Sequence, residues 1–267
     1  MIGVKVPNPV LSTKRFDKIH EEDQAGWAAA TRTSDSSTPT RADRVMTANG
    51  TFARLFVLVA LLLAGGAFGW SQVTVSSTGT VSVPSWLIVT AIGGFIVAMV
   101  CAFNPKSAPF MAPVYAVIEG IFLGAISHMF EARWDGIVLQ AILVTVGVFI
   151  ATLVLYVTGV VKVTKKFAMV VIGATFGIFF MYLAGMLMSL FGVDVMFWNQ
   201  PSPLGIIVSL VIAIVAALNL FLDFEFIKQA SQAGSPAYME WYGAFGLTVT
   251  LVWLYFEVLR LLSLLRG

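Results

Sequence analysis

The chain has 267 residues, of which 58% are hydrophobic and only 11% are charged, and its mean hydropathy is +0.90. Soluble domains have about 25% charged residues, so this composition excludes an ordinary soluble protein. The net charge of +2 is small and the basic residues are spread along the chain, which argues against a nucleic-acid partner. We therefore expect a multi-pass protein of the lipid bilayer.

The N-terminal segment is polar and of mixed charge. It contains a Ser- and Thr-rich stretch from Thr31 to Thr40. Such a composition buries too little apolar area to offset the entropy lost on ordering. We predict a disordered polar cytoplasmic tail over residues 1–46, followed by a membrane domain over residues 47–267. Thr47 is the predicted N-cap of the first helix.

Seven apolar segments follow the tail, and a helix needs about 20 mainly apolar residues to cross a bilayer. The predicted spans lie at about 52–70, 86–103, 110–130, 136–160, 167–192, 204–224 and 242–264. These runs are too long for the strands of an outer-membrane barrel and lack their alternation. The sequence thus predicts an all-α integral membrane protein, a bundle of seven transmembrane helices. Glycines such as Gly173, Gly177 and Gly185 are expected to let neighbouring helices approach closely.

The basic residues near the spans are distributed unevenly. Lys and Arg are enriched in the cytoplasmic loops of membrane proteins. If the N-terminus is inside, the cytoplasmic side carries Arg41, Arg44, Arg54, Lys106, Lys162, Lys165, Lys166 and Lys228. The other side carries only Arg133, Arg260 and Arg266. We predict a cell-membrane protein with a cytoplasmic N-terminus and an external C-terminus.

Four acidic residues lie in or beside the spans: Glu119, Asp223, Glu225 and Glu257. An ionised carboxylate is costly in hydrocarbon, so such residues usually face a protein interior or mark a pathway for ions or protons. At about 1.5 Å per residue, Asp223 is placed near the cytoplasmic face, Glu119 about 13 Å deep and Glu257 about 22 Å deep. By this count Asp223 and Glu257 are too far apart to bond directly.

Each of these acids also has a structural interpretation. Asp223 suits the interfacial end of a helix, and Glu225 suits a solvated position. Glu257 and Arg260 are three residues apart and could pair on one helix face. Glu119 has no basic residue in its own helix, which favours a buried network or a functional role. Because burial disfavours the charged form of a carboxyl group, a proton-sensitive switch is a further interpretation.

The sequence contains no enzyme signature. It has neither a His-Glu-x-x-His zinc motif nor a Gly-x-Ser-x-Gly elbow. Ser127 and His128 are adjacent on a helix and point about 100° apart, so they do not form a catalytic pair. The single cysteine, Cys101, excludes an intramolecular disulfide and a thiolate metal cluster. We expect no catalytic site, no firm metal site and no resident cofactor.

Four segments of the chain carry a family resemblance. They are Asn104-Pro105-Lys106, Tyr115 through Gly124, Leu218 through Ile227, and Glu240 through Leu247. In these segments the chain resembles the Bax inhibitor-1 (transmembrane Bax inhibitor motif, YccA-like) family, and in particular its bacterial branch with a long polar N-terminal tail. The resemblance covers roughly residues 46–264. It implies a seven-helix bundle with the C-terminal helix at its centre, in a bacterial inner membrane.

The first activity that the resemblance implies is a pH-sensitive leak of calcium or another cation. In channel-like members an aspartate near the end of the sixth helix pairs with one in the seventh, and Asp223 matches the first position. A gapless alignment places Thr250 at the second position. An alignment on Leu254 through Glu257 places Glu257 there instead.

The second implied activity is regulation of other membrane proteins, such as a membrane-anchored protease, without transport. For the leak hypothesis the candidate pathway residues are Asp223, Glu257, Glu119 and Thr250, and Lys106 is a candidate charge partner on the cytoplasmic side. Calcium prefers carboxylate and carbonyl oxygens, so transient Ca²⁺ binding by these acids is the only metal contact expected.

Overall fold

The computed structural model describes residues 45–76, 81–82, 84–192 and 200–267. The predicted disordered tail lies outside the described residues except for its last two positions, Val45 and Met46. These two belong to the unit Val45–Gly267. Met46 is buried, and its N–H donates a hydrogen bond to the carbonyl of Ser235 over 2.7 Å.

The described part of the chain contains seven α-helices and two short strands. The helices are α1 (Ala48–Gln72), α2 (Leu87–Phe103), α3 (Ala108–Arg133), α4 (Ile137–Val157), α5 (Lys165–Leu190), α6 (Pro203–Gln232) and α7 (Met239–Arg266). After α1, the strands β1 (Thr74–Val75) and β2 (Val81–Ser82) pair antiparallel. Six helices are long and apolar enough to cross a membrane, while α2 has 17 residues. The prediction of a helical membrane protein with several apolar helices is confirmed.

Polar side chains determine where three of the helices begin. Thr47, Thr164 and Ser202 each accept the N–H three residues ahead, at the starts of α1, α5 and α6. Such caps satisfy one of the backbone donors that have no partner within a helix. Thr47 is therefore the N-cap that the sequence predicted.

The helices match the predicted spans closely, with one larger difference at the end of α6. This helix continues to Gln232, past the end predicted at about residue 224. The apolar run stops there, but the helix is continued by polar side chains. Glu225 accepts hydrogen bonds from Gln229, one turn further on, at 2.7 Å and from Tyr156 on α4 at 2.8 Å. Asp223 consequently lies well inside the helix instead of at its end.

The C-terminal helix packs against four other helices. α7 contacts α1, α3, α4 and α6, and its buried residues extend from Glu240 to Leu264. By contrast, α2 packs mainly on α3, and α5 packs mainly on α6. Both leave many large apolar side chains exposed, including Phe95 on α2 and Phe176 on α5. Such surfaces suit contact with lipid tails.

Among the described helices, α1 and α3 make the largest contact, and glycine accounts for it. A Cβ added at Gly124 would collide with the backbone of Gly66, and one at Gly69 would collide with the backbone of α3. Small residues at such positions let two membrane helices approach closely. A Cβ at Gly173 or Gly177 would meet no atom within 4 Å. The prediction that these two glycines bring helices together is therefore wrong, because the helix that carries them lies at the edge of the bundle.

A glycine-to-alanine pair tests this packing. We expect Gly124→Ala to lower the free energy of unfolding by about 1–3 kcal/mol, since the added methyl group has no space between two backbones. The matched change Gly173→Ala adds the same group to a helix position with open space and should leave stability unchanged or slightly increased. Thermal unfolding of the purified variants in detergent measures both. Equal midpoints for the two variants would contradict the packing described here.

Candidate functional site

Asp223 lies in the contact between α6 and α7. At about 1.5 Å per residue it is about 14 Å from the C-terminal end of α6. A Cβ at Gly246 of α7 would lie 3.7 Å from Asp223 Oδ1, so the glycine gives the carboxyl group its space. Asp223 Oδ2 is buried and has no hydrogen-bond partner among the described residues. The carboxyl group thus has unused hydrogen-bonding capacity inside the bundle.

Thr250 lies one turn after Gly246 on α7, and its hydroxyl-bearing side chain lines the same cavity as Asp223. The same hydroxyl donates to the carbonyl of Gly246 over 3.2 Å. A hydroxyl has one proton to donate and two lone pairs that accept. The Thr250 hydroxyl oxygen can therefore still accept a hydrogen bond while its proton is donated to Gly246. Of the two residues that the alignments left open, Thr250 lines a cavity together with Asp223 and Glu257 does not.

Asp223 and Thr250 line a cavity of about 590 Å³, which we call the acidic cavity. Its walls come from α2, α3, α6 and α7, and its other polar side chains are Tyr115 and Glu119 of α3. Glu119 is about 17 Å from the start of α3 and Thr250 about 17 Å from the start of α7. With Asp223 about 14 Å from the end of α6, the acids Asp223 and Glu119 are at similar depths, counted from the helix ends on one side of the bundle.

Glu119 is accommodated by a glycine as well. A Cβ at Gly94 of α2 would lie 2.9 Å from Glu119 Oε2, so a larger residue there would displace the carboxylate. The two ion pairs among the described residues, Arg54–Glu240 and Glu257–Arg260, include neither Glu119 nor Asp223. The remaining lining of the cavity is apolar. The structure thus brings Asp223, Glu119 and Thr250 together without a compensating cation.

Glu257 belongs to a different site. It is about 27 Å from the start of α7, and it is only 4% exposed. Its Oε2 is 3.3 Å from an Arg260 guanidinium nitrogen, and its Oε1 accepts a hydrogen bond from the Tyr182 hydroxyl at 2.6 Å. Arg260 also donates to the Tyr182 hydroxyl. The structural interpretation of Glu257, a local pair with Arg260, is the one that the geometry supports.

Lys106 lies in the 3-10 turn Pro105–Ser107 between α2 and α3, where its side chain is exposed. It does not line the acidic cavity and takes part in neither of the two ion pairs. The structure therefore does not place Lys106 as a charge partner of the pathway candidates. The turn holds it at the end of the helices, whereas the acids lie in their middle.

A second buried charge cluster, besides the one around Glu257, lies at the start of α1 and α7 and was not predicted from the sequence. Glu240 is buried, and its Oε1 accepts hydrogen bonds from the N–H and the hydroxyl of Thr47, each at 2.9 Å. Its other oxygen forms an ion pair with Arg54, whose guanidinium also lies over the Trp241 ring. The sequence signal was an acid directly before the predicted apolar span at about 242–264. This cluster joins the first turns of the two helices.

Comparison with known proteins agrees with this fold. A sequence model of the family described as Bax inhibitor 1 like matches residues 8–267, which is nearly the whole chain. The chain therefore belongs to the Bax inhibitor 1 like family and is a multi-pass membrane protein. Neither the curated proteins nor the solved structures gave a significant match.

Two tyrosine-to-phenylalanine changes compare the buried Glu257 site with a site at the edge of the bundle. We expect Tyr182→Phe to cost about 1.5–3 kcal/mol of stability, because it removes a hydrogen bond to a buried charged group. Tyr156→Phe removes the equivalent bond to Glu225, which is near solvent, and should cost less. Chemical denaturation in detergent measures both. A larger loss for Tyr156→Phe would show that the Glu257 site contributes little to stability.

Proposed function

We propose that this protein is a proton-sensitive leak pathway for calcium or another small cation, and that the acidic cavity forms the cytoplasmic half of the pathway. The observation that carries this proposal is that Asp223 and Glu119 line one cavity inside the bundle and neither has a cationic partner among the described residues. Intramembrane acids in such surroundings commonly mark routes for ions or protons.

The proposal includes a membrane placement with seven spans and α7 at their centre. The short helix α2 extends over about 26 Å, which a locally thinned bilayer can accommodate. The turn between α2 and α3 carries Lys106, the segment between α4 and α5 carries Lys162, and the first turn of α5 carries Lys165 and Lys166. Positive residues favour the cytoplasmic side, so we place these turns and the N-terminus in the cytoplasm and the C-terminus outside, in a bacterial inner membrane.

The described conformation corresponds, in this proposal, to the closed pathway. Beyond Thr250, α7 continues with Leu254, Val258 and Leu259, all of which are buried in the bundle. A hydrated ion has no route through close-packed aliphatic side chains. Conduction therefore requires a change in the packing of α7 against its neighbours, and the α6–α7 contact at Asp223 is where protonation would act on it.

Calcium contact with the cavity is transient in this proposal. Ca²⁺ takes about 6–8 oxygen ligands at about 2.3–2.6 Å. No group of three His, Cys, Asp or Glu side chains in the described part of the chain is placed to hold a metal ion. The acidic cavity offers two carboxyl groups and two hydroxyl groups, so a passing ion would keep part of its water.

The direction of the pH dependence follows from the charges around Asp223. The titratable groups that line the cavity with it are Glu119 and Tyr115, both from α3, and the faces of α2 and α7 contribute none. An ionised Asp223 therefore has no cation to pair with in this arrangement, and it gains from contact with water. We expect ionisation to favour the open, hydrated arrangement, so that cation flux rises as pH rises.

Calcium flux into liposomes, measured against pH, tests the proposal. We expect the flux of the wild-type protein to rise from acidic to neutral pH and Asp223→Asn to abolish this dependence, because an amide does not titrate. Glu119→Gln should weaken the dependence. Glu257→Gln should keep it while lowering thermal stability, since Glu257 lies outside the acidic cavity.

The matched control is Glu225→Gln, which removes an acid on the same helix two residues away but outside the acidic cavity. It should keep the wild-type pH profile. Flux no higher than in protein-free liposomes would remove the leak hypothesis and leave the alternative, a regulator that acts on other membrane proteins. If Asp223→Asn leaves the pH profile unchanged, Asp223 does not set the pH dependence, and the leak does not pass through the acidic cavity as proposed.

A further inference from the structure

We propose that the acidic cavity is a binding site for a lipophilic organic cation, that is, an ammonium group on an apolar arm, which enters from the side of the bundle that α2 forms. The inference concerns the same cavity as the proposed leak, but it does not require that the protein conducts ions.

The charge of the ligand follows from the polar groups in the cavity. Among the described residues, Asp223, Glu119 and Tyr115 are the ionisable side chains that line it, and no described Lys, Arg or His does so. Asp223 Oδ2 is buried and has no hydrogen-bond partner among the described residues. A buried acceptor of this kind is costly until a donor or a cation meets it. The cavity therefore suits a positive group and disfavours an anion.

The apolar part of the ligand follows from the rest of the lining. Three phenylalanine rings, Phe95, Phe122 and Phe245, contribute to the walls together with Met99 and Val249. Aromatic faces attract ammonium groups, and this attraction is strongest where water is excluded. The volume of about 590 Å³ lies in the range of pockets for small organic molecules, about 300–1,000 Å³. A bare metal ion would leave most of this apolar surface unused.

The entrance follows from the packing of α2. The residues of α2 that line the cavity recur at positions 91, 95, 98, 99 and 102, which is one face of a helix. This helix packs mainly on α3, and near its end the carbonyl of Ala102 accepts a hydrogen bond from Tyr242 of α7. Away from that contact Phe95 is 60% exposed and Met99 39% exposed, although both line the cavity. The α2 wall is therefore open to the surroundings of the bundle.

These features place the two parts of the ligand. The positive group lies against Asp223 and Thr250, where α6 and α7 meet, and Glu119 adds a second negative charge from α3. The apolar arm extends toward Phe95 and Met99 and so toward the side of the bundle. A cation carried by an apolar arm matches the cavity in charge, size and direction of entry.

Equilibrium binding to the full chain in lipid nanodiscs tests the inference, with octyltrimethylammonium as the probe. Octyl sulfate and 1-octanol serve as matched anionic and neutral probes, and protein-free nanodiscs give the background of partition into lipid. We expect saturable binding of about one octyltrimethylammonium per chain above that background, and no saturable binding of octyl sulfate. Binding of 1-octanol should be at least about tenfold weaker, because it lacks the charge that meets Asp223.

Substitutions locate the site. We expect Asp223→Asn to weaken binding by about tenfold or more, since a charged contact is lost. Ala98→Trp, which fills the α2 side of the cavity and leaves both acids in place, should abolish binding. Phe95→Ala should weaken it by about threefold, as expected for the loss of one aromatic contact. Glu225→Gln should bind as the wild type does, and the thermal midpoint of every variant verifies that it is folded.

Saturable binding that neither Asp223→Asn nor Ala98→Trp reduces in a folded variant would overturn the inference. Equal affinity for the cationic and the neutral probe would overturn it as well, because the acids would then have no role. The readout uses no ion gradient, so saturable binding by a protein without calcium flux would support this inference while removing the leak. Calcium flux without saturable binding would support the leak and overturn the inference of a cation-binding site.

Discussion

A carboxyl group within a membrane bundle has to face protein, because hydrocarbon offers it neither water nor an opposite charge. This constraint sorts four acids of the described helices into two kinds. Glu240 and Glu257 each meet an arginine and a hydroxyl group, so their charges are matched inside the protein. Asp223 and Glu119 share a cavity, and neither takes part in the two ion pairs of the described residues. Asp223 and Glu119 are therefore cavity-lining acids whose charge has no arginine partner among the described residues.

Glu240 and Glu257, the acids with arginine partners, attach the two ends of α7 to neighbouring helices. Glu240 attaches the first turn of α7 to the start of α1 through Thr47 and Arg54. Glu257 attaches the last part of α7 to α5 through Tyr182. Thr250 and Gly246 lie between these two attachments. The middle of α7 is thus held at both ends, and its contact with α6 at Asp223 is made mainly by a glycine and a hydroxyl group.

The sequence predicted the helices well, since the length and hydropathy of an apolar run are local properties. It also selected Asp223, because an acid inside such a run is conspicuous. It did not decide between Thr250 and Glu257, which are seven residues apart and share a helix face but differ in depth by about 10 Å. The depth of Asp223 relative to these two residues depends on the continuation of α6 to Gln232, which apolar content does not reveal. The link between Thr47 and Glu240 spans 193 positions and left no local pattern.

The glycine contact between α1 and α3 has a consequence for how the molecule can move. The backbones of α1 and α3 are in direct contact at these glycines, without side chains between them. We therefore expect the two helices to move as one rigid unit, which is the frame of the bundle. The peripheral helices α2 and α5 each pack mainly on a single neighbour and have the freedom that the frame lacks. We therefore expect any widening of the bundle to be asymmetric, with the other helices moving relative to a fixed α1–α3 pair.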